Sequence, residues 1–398
     1  MGTDSSTPWA ALLASIVPGQ RSVGLLQAFL SDGAAASARW AAWLQTAGGD
    51  PRRFFETDYL GLKGLLAFVS HRLSENGVDP GHEFATYMRV AQVREELRSR
   101  IFIDTLQGLH RAMEAAGLEP ILVNGAAYAF TVYKQPLVRH NHGIDLVLPA
   151  GQLKQGGRAT AAAGFRHEHT VTLPRGVVET YRHGTGLGLT LRSRLYLTPH
   201  AKAEPSGLLA RCEDLRVDTF RIRVLGAADR LCHTLAETAA AQKSRNLRWA
   251  CDAYLLLRRP EPLDYDRLIA GAVDLGTALP VALLLEFFRG ELGIGVPGEV
   301  LAELRRRGAP RNSEESRLLL SIALRTSVSV DEFVRRARAQ RALFRAAFRF
   351  ALLPSAEHIA YQQRPTARWR IPWLYFERLG RVLARPFRRL HAPRLVAP

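Results

Sequence analysis

The sequence predicts an α/β protein, a small mixed sheet preceded by helices and followed by a helical domain. Apolar residues recur at helical spacing from Trp9 to about Arg111. Short β-rich runs broken by Gly and Pro then occupy Pro120 to about Leu225, and helical spacing returns from Gly226 to about Phe350.

Each element follows from its own stretch. "RWAAWLQTA", "LGLKGLLAFVSHRL" and "LRSRIFIDTLQGLHRAMEAAG" have apolar stripes of successive amphipathic helices, and Gly117 ends the last of them. "PILVNG", "GIDLVLP", "GLGLTLRSRLYLT" and "FRIRVL" read as strands. Ile121 to Val123 and Ile144 to Leu148 are expected as neighbouring strands, joined by a helix from about Ala126 to Tyr133. "HGTGLGLT" is glycine-rich but opens no helix, so it reads as a hairpin. "AADRLCHTLAETAAAQ" and "NLRWACDAYLLLRR" begin the second helical region. These textures divide the chain into residues 1–116, helical; 117–225, the α/β core; 226–355, helical; and 356–398, a basic aromatic tail.

Composition narrows the functional classes. A chain of 398 residues with 47% apolar and 23% charged content can bury a sizeable core. The net charge of +17 attracts anionic partners, whether nucleotides, nucleic acid or an acidic surface. From Tyr361 to Pro398 nine arginines stand against one acid, Glu377, with Trp369, Trp373, Tyr375, Phe376 and Phe387 among them, so an anionic partner would meet this tail. Arg far outnumbers Lys, a bias that points to a GC-rich bacterial coding genome. Cys212, Cys232 and Cys251 have no CxxC spacing, and no apolar run is long enough to span a membrane, so a cytoplasmic protein is expected.

The chemistry centres on Ile121 to Pro149. In "ILVNGAAYAF" a strand ends near Asn124, and Gly125, Ala126 and Ala127 allow close backbone approach to the free amides of a helix start, which suits phosphates. On the next strand, positions 143 and 145 share a face where two acids could bracket divalent metals. Only Asp145 is acidic. His140 and His142 with Asp145 offer an HxHxxD cluster for a transition metal, although loop histidines more commonly face solvent. His233 lies on an apolar helical face and reads as a buried, hydrogen-bonded residue.

Taken together, "NGAAYAFTVY", "RHNHGIDLVL", "LTLRSRL", "DRLCHTLAE" and "NLRWACDAYLLL" resemble, in order and spacing over roughly Arg100 to Leu257, the uncharacterised bacterial nucleotidyltransferases of the DNA polymerase β superfamily. The resemblance implies a small mixed sheet of polymerase β nucleotidyltransferase type, and transfer of a nucleoside monophosphate from an NTP to an acceptor by two carboxylate-held Mg²⁺ ions. It places nucleotide contacts at Asn124, Gly125, Ala126, Ala127 and Arg139 and makes Asp145 the second metal ligand. The same alignment puts Gly143 at the first aspartate, Thr190 at the third acid, Arg192 at a histidine and Asn124 at a lysine. These losses describe a degenerate site with at best a weak metal at Asp145. Three uses follow: an impaired transferase that acts by binding nucleotide, nucleic acid or protein; an active Mg²⁺-dependent transferase with displaced ligands such as His142, Glu168 or Glu179; or a non-catalytic scaffold. Mg²⁺ is the implied cofactor if the protein is active, and none otherwise. Gly143→Asp, Thr190→Glu and Asn124→Lys together are expected to restore Mg²⁺ binding if the cleft is otherwise intact.

Overall fold

The computed structural model describes residues 7–46, 51–56, 62–173, 176–196, 208–217, 220–240, 247–310, 313–326, 330–339, 356, 359 and 372–377. The arginines of the basic tail lie outside the described residues. Within 372–377, Trp373 and Phe376 are exposed.

The chain starts with α1 (Thr7–Leu13), α2 (Gln20–Leu30), α3 (Ala34–Thr46), α4 (Pro51–Glu56), α5 (Leu66–Glu75) and the long α6 (His82–Ala115). Gly117, with φ of +64°, closes α6 in the left-handed conformation that a side chain would disfavour, and Leu118 N–H bonds back to Met113 O. The α/β part follows as β1 (Ile121–Val123), α7 (Asn124–Thr131), β2 (Gly143–Val147), α8 (Leu153–Ala162), β3 (Phe165–Leu173), β4 (Gly176–His183), β5 (Gly188–Arg192), β6 (Glu213–Val217) and β7 (Phe220–Val224). Helices α9 (Ala227–Ala240), α10 (Arg248–Leu257), α11 (Tyr265–Asp274), α12 (Ala278–Leu292), α13 (Gly298–Gly308), α14 (Ser313–Thr326) and α15 (Val330–Ala339) complete the described chain.

The seven strands form one mixed sheet in the order β3-β4-β5-β2-β1-β7-β6. As the sequence predicts, β1 and β2 are neighbours; they run antiparallel, with Val123 opposite Asp145. β2 runs parallel to β5, which sets Asp145 opposite Thr190 and Gly143 opposite Gly188. Glycine-rich residues 184–187 turn β4 into antiparallel β5, the expected hairpin. The helix after β1 starts two residues earlier than predicted because Asn124 takes a positive φ and bends the chain at once. Three strands went unread: β3, β4 and β6. β3 lies at an edge and exposes most of "FRHEHTVTL", so it lacks the apolar alternation by which a half-buried strand is recognised.

Alternation in β2 decides where chemistry can occur. Ile144, Leu146 and Leu148 pack with Phe102, Leu106, Leu109 and Met113 of α6 beneath the sheet. Asp145 therefore projects from the opposite face, toward α9 and α10. Above that face the N-terminal helices and the helices after the sheet share one apolar core, in which Phe29 and Trp40 join Leu235, Trp249 and Phe288. Tyr254 of α10 donates to Leu30 O across this junction. The helices before α6 and the helices after the sheet thus close over the same face of the sheet, opposite the part of α6 that packs under β2.

Candidate nucleotide cleft

At the β1–α7 turn, Val123 is extended and Asn124 has φ of 60°. Asn tolerates this region better than most residues, and the strain is held by two side-chain bonds. Asn124 Nδ2 donates to Asp145 Oδ2 at 2.9 Å, and Asn124 Oδ1 lies 3.2 Å from His233 Nε2 on α9. His233 is buried and hydrogen-bonded, as its apolar helical face predicts. Gly125 lies so close to the following loop that a Cβ there would meet an Arg139 guanidinium nitrogen at 2.7 Å and Asn141 Oδ1 at 2.9 Å. Ala126 and Ala127 point into the core beneath the sheet, so only their backbone can serve a ligand.

A cleft of about 270 Å³ opens over this turn, with Asn124, Gly125, Asn141, His142, Gly143 and Asp145 on one side and α9 and α10 on the other. A strand, a tight turn into a helix, and an acid on the adjoining antiparallel strand are the parts from which a nucleotide site is built. A family pattern of uncharacterised nucleotidyltransferases matches residues 57–290, more than half of the chain. The chain belongs to that family. No curated protein and no solved structure matches it.

In this nucleotidyltransferase-family protein a guanidinium stands beside the lone acid. Arg192 Nη2 is 3.4 Å from Asp145 Oδ1, and Arg192 Nη1 is 3.1 Å from Glu237 Oε1 on α9. The arginine, which the sequence aligns with a histidine, bridges sheet and helix with its side chain only 14% exposed. Two-metal chemistry needs carboxylates converging on paired divalent ions, and Mg²⁺ requires near-octahedral oxygen coordination. Here Gly143 and Thr190 supply no carboxylate, and both Asp145 oxygens already accept hydrogen bonds. Among the described residues no group of three or more His, Cys, Asp or Glu side chains could hold a metal. The residues present do not fit an Mg²⁺ pair.

Displaced acids do not repair the set. Glu179 pairs with Leu191, one residue along β5 from Thr190, and so projects from the opposite face to Asp145. Glu168 is bound by Arg182 at 2.9 Å on the outer strands. Rebuilding at position 143 also meets an obstacle that the sequence does not show, because a Cβ on Gly143 would fall 2.6 Å from the backbone oxygen of Gly188. Glycine there permits the close approach of β2 and β5. Gly143→Asp is accordingly expected to destabilise the fold by about 1–3 kcal/mol and to bring no gain in Mg²⁺ affinity, as read by chemical unfolding and calorimetry. A variant as stable as wild type that binds Mg²⁺ would restore the simpler expectation.

The loop before β2 is organised by two buried pairs. Arg139 donates to Asp252 through Nε at 2.8 Å and Nη2 at 2.7 Å, and Tyr133 adds its hydroxyl at 2.9 Å. Burial opposes the charge on Arg139, but the Asp252 carboxylate outweighs it and raises the guanidinium pKa above its ordinary value. Arg139, expected on phosphate, thus fastens the loop to α10. The second pair is Glu95 of α6 with His140, 2.6 Å from carboxylate to Nδ1. His140 Nε2 lies 3.3 Å from His142 Nδ1, with the rings nearly perpendicular at 88°. The two loop histidines are therefore not equivalent, although both line the cleft: His140 is buried, contrary to the solvent-facing expectation, whereas His142 is exposed, in line with it. Desolvation lowers the pKa of His140 despite Glu95. The enclosing cleft walls, then the charges of Arg248, His140, Arg98 and Arg139, lower that of His142.

The sequence expectation and the cleft lining coincide at Asn124, Gly125 and Asp145, whereas Glu237, Asn141 and the supporting Glu95 were not anticipated. Glu237 had a signal, since it follows His233 by four residues and shares its helical face. Glu95 had none, because its partner is 45 residues away in the chain.

Proposed function

We propose that this protein binds a nucleoside triphosphate in the cleft above Asn124 and Asp145, and that ordinary two-metal nucleotidyl transfer has been lost. The observation that carries the reading is the Arg192 bridge between Asp145 and Glu237. A fixed guanidinium supplies positive charge where a metal would otherwise be needed, and it repels an incoming divalent cation. Arg248 lines the cleft and, with Arg98, acts electrostatically on His142, so positive charge stands beside His142 where a phosphate would lie, although Asp145, Glu237 and Asp252 also line the cleft. The free amides at the start of α7 add donors.

The test compares binding of a non-hydrolysable NTP in EDTA and in Mg²⁺. Affinity is expected to differ by less than about threefold, under 1 kcal/mol. Mg²⁺-dependent transfer to an acceptor at ordinary enzyme rates, abolished by Asp145→Asn, would overturn the reading. Such a result would favour an active transferase, and its displaced ligand would then be Glu237, which shares Arg192 with Asp145.

A further inference from the structure

The Glu95–His140–His142 chain determines where its protons sit. A carboxylate can only accept, so Glu95 Oε2, at 2.6 Å, requires a proton on His140 Nδ1. With that proton on Nδ1, the neutral ring presents its Nε2 as an acceptor. The 3.3 Å contact then requires a proton on His142 Nδ1. His142 Nε2 is left with its lone pair on a residue that lines the cleft. A Cβ on Gly64 would come within 2.8 Å of the His140 ring, so the Gly64 backbone lies close against the imidazole on the side of the chain before α6.

We propose that His142 Nε2 is a metal-independent nucleophile that attacks the α-phosphorus of a nucleoside triphosphate bound in this cleft. The inference rests on the reading that the cleft binds an NTP. In the step, an Nε2–P bond forms and the bond from the α-phosphorus to the bridging oxygen breaks. Diphosphate leaves with that electron pair. The positive charge generated on His142 is relieved as its Nδ1 proton moves to His140 Nε2, while the His140 Nδ1 proton shifts toward Glu95. The product is a nucleoside monophosphate joined to His142 by a phosphoramidate, ready for transfer to water or an acceptor. A base held by a second group that is itself oriented by a carboxylate is the general logic of an activated nucleophile. Arg248, which lines the cleft, and Arg98 place positive charge near His142, where charge develops on the phosphorus oxygens and on the leaving diphosphate. His142 is the catalytic residue of this step, and His140 and Glu95 are positioning residues.

The experiment incubates the full chain in EDTA with each of the four NTPs, labelled at the α or the γ phosphate, and measures NTP binding in parallel. Wild type is expected to retain α label but not γ label, in a bond that is acid-labile and alkali-stable. His142→Asn should retain none while still binding NTP. Glu95→Gln should bind NTP as wild type does but form the adduct at least about tenfold more slowly, a split that a purely structural role would not produce. NTP binding without α label in wild type would overturn this inference and leave the binding reading intact. Label that persists in His142→Asn, or retention of γ label, would overturn it equally. Failure of every NTP to bind would remove both.

Discussion

Asp252→Ala is expected to be the most damaging single change at the cleft, destabilising the protein by about 3–5 kcal/mol. The carboxylate accepts from both Arg139 Nε and Arg139 Nη2, and the two side chains are 9% and 5% exposed. Truncation would leave a guanidinium buried without its counter-charge and a Tyr133 hydroxyl without its acceptor. Removing one member of a buried pair costs far more than the pair contributes, because desolvation of the survivor is no longer offset. Chemical unfolding should show a lower midpoint with an unchanged slope. The companion Arg139→Met, Asp252→Leu double variant should recover most of the loss, since no charge is then stranded. A loss below about 1 kcal/mol in Asp252→Ala would show that the wall of the cleft is not built on this pair.

Arg192→Leu should lower stability by about 2–3 kcal/mol, less than Asp252→Ala because the carboxylates it serves are 25% and 22% exposed and partly screened. Its more telling consequence concerns metal. Without the guanidinium, Asp145 and Glu237 would face each other across the cleft with no shared cation, and a divalent ion could take its place. The variant should therefore be stabilised by millimolar Mn²⁺ or Mg²⁺, with a rise in melting temperature that wild type lacks. If wild type shows the same rise, Arg192 does not stand in for a metal. If neither protein responds, the two acids are too far apart to share an ion.

The contrast between Asp145 and its surroundings shows how far a sequence can be read. The turn at Asn124 and Gly125 was legible because local chemistry makes it: small residues end a strand, and an apolar helix follows. The lone acid was legible because β alternation puts residues 143 and 145 on one face whatever else the chain does. That Gly143 excludes any side chain was not, since the obstacle is the carbonyl of Gly188 on a parallel strand 45 residues further on. β3 was hidden for the opposite reason, because an edge strand exposed on both faces carries no apolar period.

Sequence alone determined the α/β class, the strand–turn–helix–strand unit, Asp145 as the lone acid of its strand face and the family, all of which depend on local spacing and residue type. Tertiary structure alone decided which partner each charge found. Arg192 meets Asp145 and Glu237, Arg139 meets Asp252, and Glu95 meets His140, each pair joining elements far apart in the chain. Coulomb attraction and desolvation act over a few ångströms of space, and distance along the chain does not enter them. Whether a histidine is a solvated loop residue or a member of an oriented pair therefore depends on how α6 packs beside β2, not on the residues that flank it.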